Sequence, residues 1–170
     1  MKAKFIGVGT VVGAIFLFMW GALLHSGLPM ETQGMTALPP AAMAALKLAP
    51  MSDGVYFGQG VWAAISLQER GGRDPNDIGP MLIREVFTDL AGAFLLCLLL
   101  LAVKCKGTME RAGVLAMAAT AACMENQVSD WNWYGFSAQF SILEAVDIVG
   151  GWFLLGIILS LLKNKLAPEA

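Results

Sequence analysis

The chain has 170 residues, 57% of them hydrophobic and only 14% charged, with a formal net charge of −2. A soluble domain carries about 25% charged residues, so this chain cannot cover a globule with polar surface, and a water-soluble or disordered protein is excluded. The balance also lacks the basic footprint that nucleic-acid binding requires.

A bilayer-crossing helix needs about 20 mostly apolar residues, and four segments approach that description. The first, 5–24, has no charge at all. Lys2 and Lys4 precede it as in a signal peptide, but the apolar run is too long and no small-x-small cleavage site follows, so it reads as a retained span. Residues 26–80 are then an insertion too long for a plain turn. Pro39-Pro40 before AAMAALKLA predicts a short helix opened by proline. Asp53-Gly54 signals a turn, VYFGQGVWAAISLQ suits a strand pair or an interfacial segment, and GGRDPNDIGP suits a solvated loop. The insertion is expected to cap the outer face of the bundle.

The second span, 81–103, ends in the run Leu90–Val103 but opens with Arg84, Glu85 and Asp89. The third, 112–128, is built from Ala, Met, Val and Thr, with Glu125 near its end. Its small residues suit a helix in the middle of a bundle. The fourth, 140–162, carries Glu144 and Asp147 in its first third. The expected fold is an all-α membrane protein, a four-transmembrane-helix bundle forming one domain over 1–170.

Orientation follows from Lys and Arg in short loops. With four crossings, Lys2, Lys4, Lys104, Lys106, Arg111, Lys163 and Lys165 fall on one side. Both termini are therefore expected in the cytoplasm.

In lipid, small residues mark helix interfaces because they allow close backbone approach. Gly9 and Gly13 form such a pair, which serves either ordinary packing within the bundle or docking of another subunit. Trp131, Trp133, Tyr134 and Phe136, between the third and fourth spans, suit an interfacial belt or a docking patch.

Glu85 and Asp89 share a helix face, as do Glu144 and Asp147. Glu125 approaches the same level, His25 ends the first span, and Arg84 is the one cation near them. Intramembrane ionisable groups are costly and face the interior, so a shared polar interior is expected. It serves as a structural network, as a carboxylate-lined proton or cation path, or as an oxygen-ligand metal site. No Glu-x-x-His accompanies the acids, and no metal is predicted. No cofactor is predicted either; a haem or chlorin bond through His25 is the one contact left open. The ten Met residues are scattered as packing filler. The insertion has no Cys, so no disulfide framework exists there. No nucleophile–base motif is present, hence no catalytic residues.

The stretch Phe18-Met19-Trp20-Gly21, the run Trp131-Asn132-Trp133-Tyr134-Gly135-Phe136, and Asp147 with Gly151-Trp152-Phe153 resemble a group of small, uncharacterised four-span bacterial inner-membrane proteins. The likeness covers about a third of the chain. It implies a bacterial inner membrane and four spans, and carries no activity.

The expected function is therefore non-catalytic: an accessory subunit packed against other subunits of a larger membrane complex, such as one for electron transfer or light harvesting. The alternative is a small proton, cation or solute transporter or channel using the intramembrane carboxylates.

Overall fold

The computed structural model describes residues 1–28, 34–49, 54–58, 61–65 and 78–168. Helix α1 (Lys2–Ala22) runs into a π-helical turn, Leu23–Gly27, closed by the Leu28 N–H donating to the Leu23 carbonyl at 2.8 Å. Then follow α2 (Pro40–Leu48), the strands β1 (Gly54–Gly58) and β2 (Val61–Ile65), and the helices α3 (Gly79–Ala102), α4 (Thr108–Tyr134) and α5 (Ala138–Leu166).

The chain divides into two compact units. Thr36–Ile83 is one; Met1–Met35 with Arg84–Ala170 is the other. The inserted segment thus closes contacts within itself. In that unit α2 begins at the second proline of Pro39-Pro40, where a fixed φ and a missing N–H cost nothing. VYFG and VWAAI form the strand pair, antiparallel with Gly54 opposite Ile65 and Gly58 opposite Val61. Asp53 and most of GGRDPNDIGP lie outside the described residues.

In the larger unit, Phe5, Leu96, Cys97, Leu100, Leu115, Leu155 and Leu159 form a common core drawn from α1, α3, α4 and α5. Three of the helices, α1, α3 and α5, are long and apolar enough to cross a membrane. Their outward faces are large and apolar, as at Ile15, Leu95 and Leu161, each about 60% exposed. Water would not tolerate such faces, whereas lipid does.

Helix α4 differs from its expectation in two respects. It is longer, 27 residues, and it falls short of the apolar composition of the other three. It also does not sit in the middle. Arg111, Ala112, Leu115, Ala119 and Cys123 are buried along one face, while Met117, Thr120, Met124 and Glu125 lie outside. Alanine gives close packing on the inner side but too little apolar surface on the outer one.

The glycines show where the helices touch. A Cβ on Gly9 would stand 2.7 Å from the Cys97 Sγ, one on Gly13 2.8 Å from the Ala93 Cβ, and one on Gly156 2.7 Å from the Ala112 Cα. Gly9 and Gly13 are therefore spent within the chain, against α3, and are not a face for another subunit. Inserting side chains into such contacts costs about 1–3 kcal/mol or more. Gly13→Leu is expected to lower the denaturation midpoint of the detergent-solubilised protein, whereas Gly7→Leu, with open space around it, leaves the midpoint unchanged. Equal midpoints would refute this packing.

Candidate functional site

At one end of the larger unit α1 and α5 are joined by polar groups. The Trp20 indole N–H donates to the Asp147 Oδ1 at 2.6 Å and also approaches the Asp147 carbonyl oxygen at 3.2 Å. The His25 Nε2 lies 3.2 Å from the other carboxylate oxygen, Oδ2. The indole fits because residue 151 is glycine: a Cβ there would stand 2.9 Å from the Trp20 Nε1. Phe16, one turn back, stacks on Trp20 with ring centroids 6.2 Å apart and fixes its plane. The π turn carries His25. A wider turn changes the angular phase of the residues that follow, a device found at functional positions.

Two of the stretches singled out in the sequence meet here, Trp20 from one and Asp147 with Gly151 from another. Sequence reasoning counted Trp20 only as part of a motif and gave Asp147 no aromatic partner. The available signal was a tryptophan one helix turn from the end of an otherwise uninterrupted apolar span.

The wider acid cluster is not assembled as expected. Asp89 is buried, at 8% exposure, and its Oδ2 has no hydrogen-bond partner among the described residues. Asp147 is largely enclosed and Glu144 half-buried. Arg84, Glu85 and Glu125 are on the surface instead. The reason is angular: Glu85 and Asp89 are four residues apart, yet α3 has only a narrow inward face at this level, occupied by Asp89 and Ala93. Arg84 pairs with none of these acids among the described residues; it accepts, through its carbonyl, the Thr88 hydroxyl at 3.0 Å. Among the described residues no three His, Cys, Asp or Glu side chains come together as a metal-holding group. One ring nitrogen of His25 is engaged by Asp147.

The aromatic run is helical rather than a loop. Trp131, Trp133 and Tyr134 occupy the last turns of α4 and are exposed, and Gly135, at φ +74°, caps the helix in the left-handed conformation that glycine adopts readily. Phe136 turns back onto Phe140, with ring centroids 5.1 Å apart. Ser137 then caps α5, accepting the Phe140 N–H at 3.0 Å and donating to the Gly34 carbonyl at 2.7 Å, so the chain after α1 is tied to the start of α5.

The opposite end holds a second polar group that the sequence reading missed. Arg111, counted there as a loop cation, is buried in the first turn of α4 at 2% exposure. Its Nε donates to the Cys105 carbonyl at 2.9 Å, and its Nη1 reaches the Ser160 Oγ at 3.2 Å and the Asn164 Oδ1 at 2.5 Å. Ser160 and Asn164 are four apart on α5, which was the legible signal. Glu110 accepts the backbone N–H groups of Lys106 and Gly107 at 3.0 and 3.2 Å, fixing the turn before α4.

Between α4 and α5 runs an apolar groove of about 350 Å³ that includes Cys123, Met124, Gln127, Trp131 and Ile142. The Gln127 Oε1 and the Ser141 Oγ, both on this groove, have no hydrogen-bond partner among the described residues.

No family model matches the chain, and no curated protein or solved structure is similar to it.

The clasp at Asp147 makes a graded prediction. Asp147→Asn retains an acceptor for the Trp20 N–H and should cost less than about 1 kcal/mol. Asp147→Leu leaves that N–H only the longer contact to the backbone carbonyl of residue 147 and should cost about 1–2 kcal/mol. Denaturation midpoints in detergent measure both. Equal losses would show that the hydrogen bond does not hold the helices.

Proposed function

We propose that the protein is a non-catalytic membrane subunit that docks a helix of another membrane protein on the α4–α5 groove. The carrying observation is the mismatch of α4 with lipid. Its outer face presents the exposed Glu125, next in sequence to the groove-lining Met124, and Glu125 has no ion-pair partner among the described residues. Thr120 and Asn126 satisfy themselves on the Ala116 and Ala122 carbonyls, each at 2.8 Å. The buried Gln127 Oε1 and Ser141 Oγ have no such partner among the described residues. A polar group facing hydrocarbon without a partner costs several kcal/mol, and a partner helix carrying Lys, Arg or hydroxyl donors would satisfy the exposed Glu125. The scattering of Arg84, Glu85 and Glu125 over the surface argues against the alternative, a carboxylate-lined transport path.

The same reading makes α4 a fourth crossing. Lys2, Lys104, Lys106 and Lys163 line one cavity, which gathers the start of α1, the α3–α4 turn and the end of α5 at one end. At about 1.5 Å per residue, the 27 residues of α4 run about 40 Å alongside α5. The positive-inside preference then places that basic end, with both termini, on the cytoplasmic side of a bacterial inner membrane, and Thr36–Ile83 outside.

Two measurements check these statements. In a Cys105→Ser background, Asp74→Cys should react with an impermeant thiol reagent in intact cells and Gly107→Cys should not; the reverse pattern overturns the orientation. A photo-crosslinking residue at Met124 should give one discrete protein adduct, and the same residue at Ile15 should give lipid adducts alone. Glu125→Leu should weaken the adduct about tenfold, as expected for one intramembrane polar contact. Lipid adducts alone at both positions would overturn the docking reading.

A further inference from the structure

The stretch from Gly34 to Ala49 carries one charge, Lys47, and one other polar side chain, Thr36. Helix α2 occupies its second half, and no residue of that helix is buried. Ala42 and Leu46 are half-covered on one side. The other side presents Met43, Ala44, Lys47 and Leu48 outward, with Leu48 84% exposed. Met35 and Leu38, just ahead of the helix, are more than half exposed as well. Surfaces that face water rarely gather so many large apolar side chains in so short a stretch.

Three features select the surroundings of this face. Helix α2 has nine residues, about 13 Å, less than half of the roughly 20 residues that a crossing needs. Its first turn has no side-chain cap, which leaves backbone N–H groups to water or to headgroup oxygens. Hydrocarbon offers them neither. The third feature is a tether. Ser137, the cap of α5, donates to the Gly34 carbonyl at 2.7 Å, and a Cβ on Gly34 would stand 2.5 Å from the Phe140 Cα. Residue 34 is therefore pinned to the start of α5. The 29 residues of α5 run about 43 Å, which matches a bilayer with its headgroup regions, about 40–45 Å. The start of α5 then stands at headgroup level, the level that the exposed Trp131, Trp133 and Tyr134 just before it prefer. Six residues lead from Gly34 to Pro40, at most about 20 Å of chain. Helix α2 cannot begin far from the bilayer surface.

We propose that α2 is an interfacial helix that lays its Met43–Leu48 face on the lipid surface at the end of the bundle where α5 begins. Met43 and Leu48 enter the boundary between headgroups and acyl chains, about 5–10 Å deep. The Lys47 stem follows the same face, and a lysine so placed keeps its ammonium in the wet layer. The proposal rests on α5 crossing the bilayer. It stands whether or not a partner helix occupies the α4–α5 groove.

Spin-label collision measurements on the full chain, one copy per nanodisc, test this. Met43→Cys, Leu48→Cys and, as a probe of the crossing, Leu154→Cys each carry a nitroxide in a Cys105→Ser background, whose two remaining thiols are buried. All three labelled positions are exposed, so the label is accommodated. Oxygen concentrates among acyl chains, and a neutral nickel chelate stays in water. Relative to nickel, labels at Met43 and Leu48 should meet oxygen severalfold more often than one at Lys106→Cys in the exposed α3–α4 turn. The ratio at Leu154, near the middle of α5, should be higher still. Ratios at Met43 and Leu48 equal to that at Lys106, with Leu154 still shielded from nickel, would place α2 in water and overturn the proposal while α5 crosses. Shielding of Met43 and Leu48 from both reagents would show a protein contact there and overturn it too. A nickel-accessible Leu154 would overturn the crossing of α5, and the proposal with it.

Discussion

Helices in lipid gain little by hiding apolar surface from one another, because the acyl chains are as apolar as leucine. Their arrangement then depends on close backbone approach and on a few polar contacts placed where no water competes. In this protein that constraint is met at Trp20 and Asp147. The indole N–H and the carboxylate lie on helices far apart in sequence, and the bond forms only because Gly151 leaves room for the ring. Gly9, Gly13 and Gly156 then bring the remaining helices close enough to share one core. A polar bond at one end and glycine contacts along the length together hold one register.

The two ends of the bundle have different chemistry. One carries an acid bonded to a tryptophan and a histidine, the other a buried arginine bonded to Ser160 and Asn164. Each ties the last helix to another one, α1 at the first end and α4 at the second. Helix α5 is therefore the element to which α1 and α4 are tied, while α3 packs on α1 at Gly9 and Gly13. Ser137 extends its role by binding the Gly34 carbonyl at the start of the same helix. The outer face of α4 is the most polar of the long helices' faces, with Thr120, Glu125 and Asn126 exposed.

Composition and periodicity made the apolar helices, the proline-opened α2 and the strand pair legible, because each depends on local residue type. What stayed hidden depended on angle and partner. Glu85 and Asp89 share a helix stripe, yet one is exposed and the other buried, since burial follows the neighbouring helix rather than the stripe. Arg111 looked like a loop cation because the turn ends earlier than its charges suggest. Gly9 and Gly13 lie against α3, and sequence spacing cannot name the contacting helix. Trp20 and His25 became a site only when α5 was laid beside them.

The central claim is that a specific Trp20–Asp147 bond couples α1 to α5. A double-mutant cycle with Trp20→Phe and Asp147→Ala, followed by reversible denaturation in mixed micelles, measures that coupling without the separate packing losses of each change. Interhelical hydrogen bonds in membranes give about 0.6 kcal/mol on average and at most about 1.7. A charge-assisted bond, in a gap that only glycine leaves open, should reach about 1 kcal/mol or more. Strictly additive losses from the two substitutions would contradict the claim.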